Sequence, residues 1–195
     1  MTEPKAAQDL AEAKARLRKT ALAARKAAHL SGSGAAEAAR DHLLASRLLT
    51  GAGVIAGYRP IRSELDPTPL METLHVAGHR VAVPVIQGAG LALKFAAWAP
   101  GCAMTEGAFG AEVPADPVWL TPDLVIAPLV AFDRRGRRLG YGGGFYDRSL
   151  EVLRADAPVR AIGFAYAAQE VPNLPAEPTD QTLDAIVTEA GLLRP

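Results

Sequence analysis

Residues 123–132 read Asp123-Leu124-Val125-Ile126-Ala127-Pro128-Leu129-Val130-Ala131-Phe132, the most hydrophobic stretch of the chain. They run into Asp133-Arg134-Arg135-Gly136-Arg137-Arg138-Leu139-Gly140-Tyr141-Gly142-Gly143-Gly144 and then Phe145-Tyr146-Asp147-Arg148. The first block predicts a central β-strand over 123–132, despite Pro128. The last block opens a helix over about 145–154. A buried strand feeding a Gly/Arg loop and then a helix places that loop at the carboxyl end of a sheet strand, where open α/β sheets bind ligands.

The same alternation continues outward. Residues 5–28 predict one helix, since Leu10, Ala13, Leu17, Ala21, Ala24 and Ala28 recur at helical spacing. Ser31-Gly32-Ser33-Gly34 ends it, and a second helix is expected over 35–49. Strands are expected at 54–57, 81–86, 91–97, 159–166 and 183–188. Asp66 and Pro67 open a helix as N-cap and first helical residue, and Gly78 stops it. Residues 99–120 read as irregular with short strands, and 169–182 as a Pro-rich loop. The expected fold is α/β: one three-layer domain over 1–195, a mostly parallel central sheet flanked by helices, with the N-terminal helix packed on it.

Composition narrows the function. The 195 residues are 49% hydrophobic and 22% charged, with 21 Lys plus Arg against 21 Asp plus Glu. A nucleic-acid partner is not expected from that balance. Cys102 is the single cysteine, which rules out an intrachain disulfide and a cysteine zinc cluster. The apolar runs are far shorter than the ~20 residues of a membrane span. Glu3, Asp9 and Glu12 argue against a transit peptide. A cytoplasmic protein without membrane partners, read as a monomer, is the expectation. His75 and His79 are four apart but separated by Gly78, and no third zinc ligand is evident.

Glycines let backbone N–H groups approach an anion, and the helix that follows adds positive potential at its N-terminus. Arginines can clamp phosphate oxygens. The loop lacks the Gly-Lys-Ser/Thr of a Walker A motif, and Phe145 stands where a dinucleotide fingerprint needs glycine. On its residues alone it is either a phosphate cradle or a tight turn with solvated arginines. Lys14 and Arg18, with Arg25 near the same line, form a basic stripe on the first helix. By itself that stripe reads rather as a solvated face.

The order Pro-x-x-Ala-Phe-Asp, then Arg138-Leu139-Gly140-Tyr141-Gly142-Gly143-Gly144-Phe145-Tyr146-Asp147-Arg148, resembles the signature of 5-formyltetrahydrofolate cyclo-ligases. Three more segments resemble that family in sequence order: Lys14-Ala15-Arg16-Leu17-Arg18, the stretch from Tyr58 to Asp66, and the stretch from Gln169 to Glu189. Thr179 stands where the family has histidine.

The resemblance implies ATP and Mg²⁺ as co-substrate and metal. It implies ATP contacts at Lys14, Arg18, Arg138, Leu139, Gly140, Tyr141, Gly142, Gly143, Gly144, Phe145 and Tyr146. Folate contacts would come from Arg59, Glu64, Tyr141, Gly142, Gly143, Gly144 and Phe145. Metal ligation would fall to Asp147 and Asp180, and Arg138 and Tyr146 would act in catalysis. Read without the family, Glu64 is a loop carboxylate and Asp180 an Asx-turn residue. The implied reaction is ATP-dependent cyclisation of 5-formyltetrahydrofolate to its 5,10-methenyl form. The competing readings are a relative that binds ATP or folate without cyclising it, and a sugar-phosphate isomerase or acyl-transfer enzyme on a similar layered fold.

Overall fold

The computed structural model describes residues 3–195. Four α-helices occur among them: α1 (Glu3–Ser31), α2 (Ala35–Leu44), α3 (Thr68–Val76) and α4 (Phe145–Asp156). The strands are β1 (Val54–Ala56), β2 (Arg80–Val85), β3 (Lys94–Trp98), β4 (Met104–Glu106), β5 (Glu112–Pro114), β6 (Trp119–Leu120), β7 (Leu124–Ala127), β8 (Ala131–Phe132), β9 (Arg138–Leu139), β10 (Arg160–Phe164), β11 (Ala185–Thr188) and β12 (Gly191–Leu193). Eight of them form one sheet in the order β12-β11-β10-β7-β1-β2-β3-β6. Strands β2, β1, β7, β10 and β11 run parallel. The outer pairings β11–β12, β2–β3 and β3–β6 are antiparallel.

Chain order reverses between β1 and β7, because the chain leaves β1 toward β2 and returns on the other side. A crevice opens at such a reversal, outside the carboxyl ends of the strands.

The parallel strands read as unbroken apolar runs because both faces are covered. On one face Ile55, Val83, Leu124, Ile126, Ile162 and Val187 pack under α2 and α3, through Ala39, Leu43, Leu70, Met71 and Leu74. On the other, Ala56, Ala82, Val125, Ala161 and Ile186 meet Leu150 and Leu153 of α4. A third cluster joins Leu17, Ala21 and Leu22 of α1 to Val130, Ala131, Leu139 and Leu174. It docks the N-terminal helix at the carboxyl end of the sheet.

Several sequence expectations need correction. Residues 123–132 are not one strand. The run bends after Ala127, and Ala131–Phe132 pairs antiparallel with Arg138–Leu139 outside the main sheet. Pro128 has no N–H for a ladder, and the carbonyls of Leu129 and Val130 accept from Gln169 Nε2 at 2.7 and 3.1 Å. Helix α2 stops at Leu44 rather than 49. The turns beyond it are held by Ser46 Oγ on the Leu43 carbonyl, at 2.6 Å, and by Arg160 on the Thr50 carbonyl, at 2.9 Å. Asp66 does receive a helix N–H, from Thr68 at 2.9 Å, but Pro67 occupies the N-cap position. The expected strand over 91–97 starts later, at Lys94, and β12 was not foreseen.

Candidate active site

A cleft of about 730 Å³ lies over the carboxyl ends of β1, β2 and β7. That volume suits a sizeable organic ligand. The glycine loop forms its middle. Gly142 and Gly144 hold φ of 105° and 65°, the left-handed region where a Cβ is costly. Gly144 caps α4 without any side-chain cap, so the first N–H groups of that helix remain for a ligand. Arg148 Nη2 ties back to the Gly143 carbonyl at 2.7 Å and steadies the loop from behind.

One end of the cleft is ionic. Lys14 is buried, and its Nζ donates to Glu177 Oε2 at 2.7 Å and Asp180 Oδ2 at 2.8 Å. Burial opposes its charge, but those two carboxylates outweigh it and leave the ammonium pKa raised. Arg18 Nε donates to the Gly140 carbonyl at 2.8 Å. Arg138 Nη2 donates to Asp147 Oδ1 at 2.8 Å, and the Gln181 N–H reaches the same oxygen at 3.0 Å. Four cations, Lys14, Arg18, Arg138 and Arg148, thus line the region together with Asp147, Glu151, Glu177 and Asp180.

The other end is apolar and aromatic, with Tyr58, Ile61, Ile86, Leu93, Phe109 and Val113 among its walls. Glu64 sits there, 4% exposed, with Oε2 accepting the Ile61 N–H at 2.9 Å. Burial raises its pKa; the Ile61 N–H, the charge of Arg25 and the Tyr141 hydroxyl pull the other way. The Tyr146 phenol has no hydrogen-bond partner among the described residues, and burial, aided by the Glu64 charge, keeps it firmly protonated. Arg59 lines the cleft while pairing with Glu112 at 3.1 Å and Thr68 Oγ1 at 3.3 Å.

All the residues singled out from the sequence as ligand contacts therefore line this one cleft. Four neighbours join the site beyond the contacts expected from the sequence. Arg25, seen in the sequence only as part of the basic stripe, is buried beneath Glu64 and Tyr141. Glu177 holds Lys14, as its position three before Asp180 allows. Phe109, at the tip of the β4–β5 hairpin, and Arg62, over the Tyr141 ring at 5.5 Å, carried no periodic signal. Neither Trp98 nor Trp119 lines the cleft: Trp98 is in the core, and Trp119 lies by Lys94 at the sheet edge. His79 bonds the Ala52 carbonyl, at 2.9 Å.

Comparison with known proteins agrees with this geometry. Residues 10–189 match the model of the 5-formyltetrahydrofolate cyclo-ligase family. The 5-formyltetrahydrofolate cyclo-ligase of Mycolicibacterium smegmatis is 34% identical over 165 residues, covering 80% of this chain and 82% of that protein. The Escherichia coli K12 protein of the same name is 38% identical over 144 residues, 70% of this chain and 78% of its own length. The 5,10-methenyltetrahydrofolate synthetase structure from Aquifex aeolicus superposes with a TM-score of 0.76 at 29% identity, covering 93% of this chain and 92% of that one. The one from Mycoplasma pneumoniae gives a TM-score of 0.71 at 27% identity, with 90% and 98% covered. With a signature loop, a cleft at the order reversal and a family match along nearly its whole length, the chain belongs to the 5-formyltetrahydrofolate cyclo-ligase family.

Proposed function

We infer that this chain is a single-domain, ATP-dependent 5-formyltetrahydrofolate cyclo-ligase, acting as a cytoplasmic monomer. The observation that carries the reading is one cleft lined by two groups: Lys14, Arg18 and Arg138 with Asp180, Gly140 and Asp147, and Glu64 with Arg25, the glycine loop touching both through Gly140 and Tyr141. A triphosphate suits the first group. A flat, amino-bearing pterin suits the second, where a carboxylate can accept its N–H groups.

The reaction then runs across the loop. The formyl oxygen of the folate attacks the γ-phosphorus, ADP leaves, and an N5-iminium phosphate forms. The N10 nitrogen attacks the activated carbon and gives up its proton to solvent, phosphate leaves, and the 5,10-methenyl product results. Phosphoryl transfer needs positioning and charge neutralisation more than a protein nucleophile. Lys14 and Arg18 hold phosphate oxygens from α1, while Arg138 and the N–H groups of 140–145 cradle those nearest the transfer. Tyr141 and Tyr146 wall the junction, and Arg59 and Glu64 orient the pterin.

Asp147 and Asp180 are the residues that would hold Mg²⁺. Oδ2 of Asp147 and Oδ1 of Asp180 accept no hydrogen bond among the described residues, while the opposite oxygens are anchored. Two hard oxygen donors complemented by phosphates and water suit this cation, which would neutralise charge on the triphosphate.

The test incubates purified protein with 5-formyltetrahydrofolate, ATP and Mg²⁺ and follows the near-ultraviolet band of the methenyl product. ATP-dependent growth of that band is the expected outcome. A flat trace from protein that binds ATP would replace the reading with a non-cyclising relative, and activity without ATP would point to the isomerase or acyl-transfer class.

A further inference from the structure

Arg25 lies two helical turns beyond Arg18 and has no solvent to neutralise it, being 1% exposed. A buried guanidinium is costly unless its donors are engaged. Here each part of the fork reaches a different segment. Nε donates to Ser63 Oγ at 3.2 Å, Nη1 to the Leu129 carbonyl at 3.4 Å, and Nη2 to the Tyr141 hydroxyl at 2.6 Å. Nη1 also stands 3.8 Å from Glu64 Oε1, and the guanidinium lies over the Tyr141 ring at 5.4 Å. One side chain on α1 therefore ties together the loop carrying Glu64, the exit of β7, and the glycine loop.

We propose that Arg25 is a positioning residue for the folate end of the cleft: it fixes the Glu64 carboxylate and the Tyr141 phenol against each other. The proposal rests on the assignment of Glu64 to the pterin. The geometry favours such a role over a merely structural one, because the fork spends its best bond on Tyr141, a residue 40% exposed at the cleft wall.

The groups facing Glu64 come from every element around it: Arg25 on α1, Arg62 on its own loop, Tyr58 after β1, Tyr141 on the glycine loop and Tyr146 on α4. Of these, Arg25 and Arg62 are the cations, and both hold the carboxyl pKa down against burial. Removing Arg25 leaves burial less opposed, so the carboxyl protonates at higher pH.

The experiment compares wild type, Arg25→Met, Arg25→Lys, Glu64→Gln and the double variant Arg25→Met/Glu64→Gln. KM for 5-formyltetrahydrofolate, KM for ATP and the pH profile of folate kcat/KM are measured, after thermal unfolding has confirmed folding. Arg25→Met should raise the folate KM about tenfold or more and the ATP KM far less, as loss of a charge-assisted contact predicts. The acid limb of its profile should move to higher pH. Arg25→Lys, which keeps charge but not the fork, should restore the limb and only part of the KM; it carries the test if Arg25→Met does not fold. Glu64→Gln should abolish the limb, and the double variant should match it. Equal effects of Arg25→Met on both KM values with an unmoved limb would overturn the proposal. An unchanged folate KM in Glu64→Gln would instead overturn the assignment of Glu64 beneath it.

Discussion

At the cleft, Asp147, Glu177 and Asp180 are each paired with a cation through one anchored oxygen. Asp147 is the clearest instance, since its Oδ1 takes both the Arg138 guanidinium and the Gln181 N–H. An asparagine can accept the same two bonds through its amide oxygen while losing the charge. Asp147→Asn should therefore keep the fold and Tm near wild type but lower turnover roughly 100-fold. It should also raise the Mg²⁺ concentration needed for half-maximal rate. A steady-state Mg²⁺ titration checks both, and an unchanged rate would remove Asp147 from the metal. Asp133 shows the other use of a buried carboxylate. Burial would raise its pKa, but Arg137 and the N–H groups of Leu174, Arg135 and Arg137 outweigh it and hold the carboxyl below its ordinary range. It shapes the turn preceding the glycine loop, and no ligand contact was expected of it.

That turn joins β8 to β9, and its geometry depends on Gly136. The residue has φ of 75°, and a Cβ there would stand 2.6 Å from the Leu183 carbonyl and 2.7 Å from Pro195 Cγ. Gly136 also accepts the Leu183 N–H at 2.8 Å, so neither backbone can retreat without losing a bond. Gly136→Ala should cost about 2–4 kcal/mol, combining the left-handed penalty with overpacking. Gly140→Ala, whose Cβ would meet nothing within 4 Å, should stay within about 0.5 kcal/mol of wild type. Urea unfolding of both variants decides it; equal stabilities would mean the hairpin does not constrain the loop. The same hairpin explains where the sequence was legible and where it was not. Hydrophobicity marks Leu129–Val130–Ala131–Phe132 as buried, and all four are. It does not say that α1, rather than two neighbouring strands, buries Val130 and Ala131. Helix α1 was readable because its stripe repeats over many turns, whereas α2 was drawn too long because Leu48 and Leu49 pack on the core from turns.

Across the whole molecule, the cleft is assembled from distant parts of the chain: α1, the loop after β1, the β4–β5 hairpin, the glycine loop and the segment before β11. The glycine loop and the basic stripe carried chemistry in local order, so they could be read directly. Phe109 enters only through tertiary placement, at a hairpin tip, and no local pattern marks it, whereas Arg25 belongs to the basic stripe but its burial under a loop is set by tertiary placement. Such an assembly couples ligand binding to the docking of α1, whose apolar contacts include Leu17, Ala21 and Leu22 on one cluster and Ala28 on another. Nucleotide held by Lys14 and Arg18 should therefore stabilise the native state as a whole. At 100 times Kd the gain is about 2.7 kcal/mol. For a chain of this size that corresponds to a rise in Tm of roughly 5–10 °C. Lys14→Ala should lose most of the shift given by ATP with Mg²⁺ while keeping that given by 5-formyltetrahydrofolate, because Lys14 lies at the ionic end and Glu64 at the other. Thermal unfolding with each ligand alone reads this directly. If Lys14→Ala kept the full ATP shift, the triphosphate would not be bound by α1, and the ionic end would have to be reassigned to the Arg138 side of the loop.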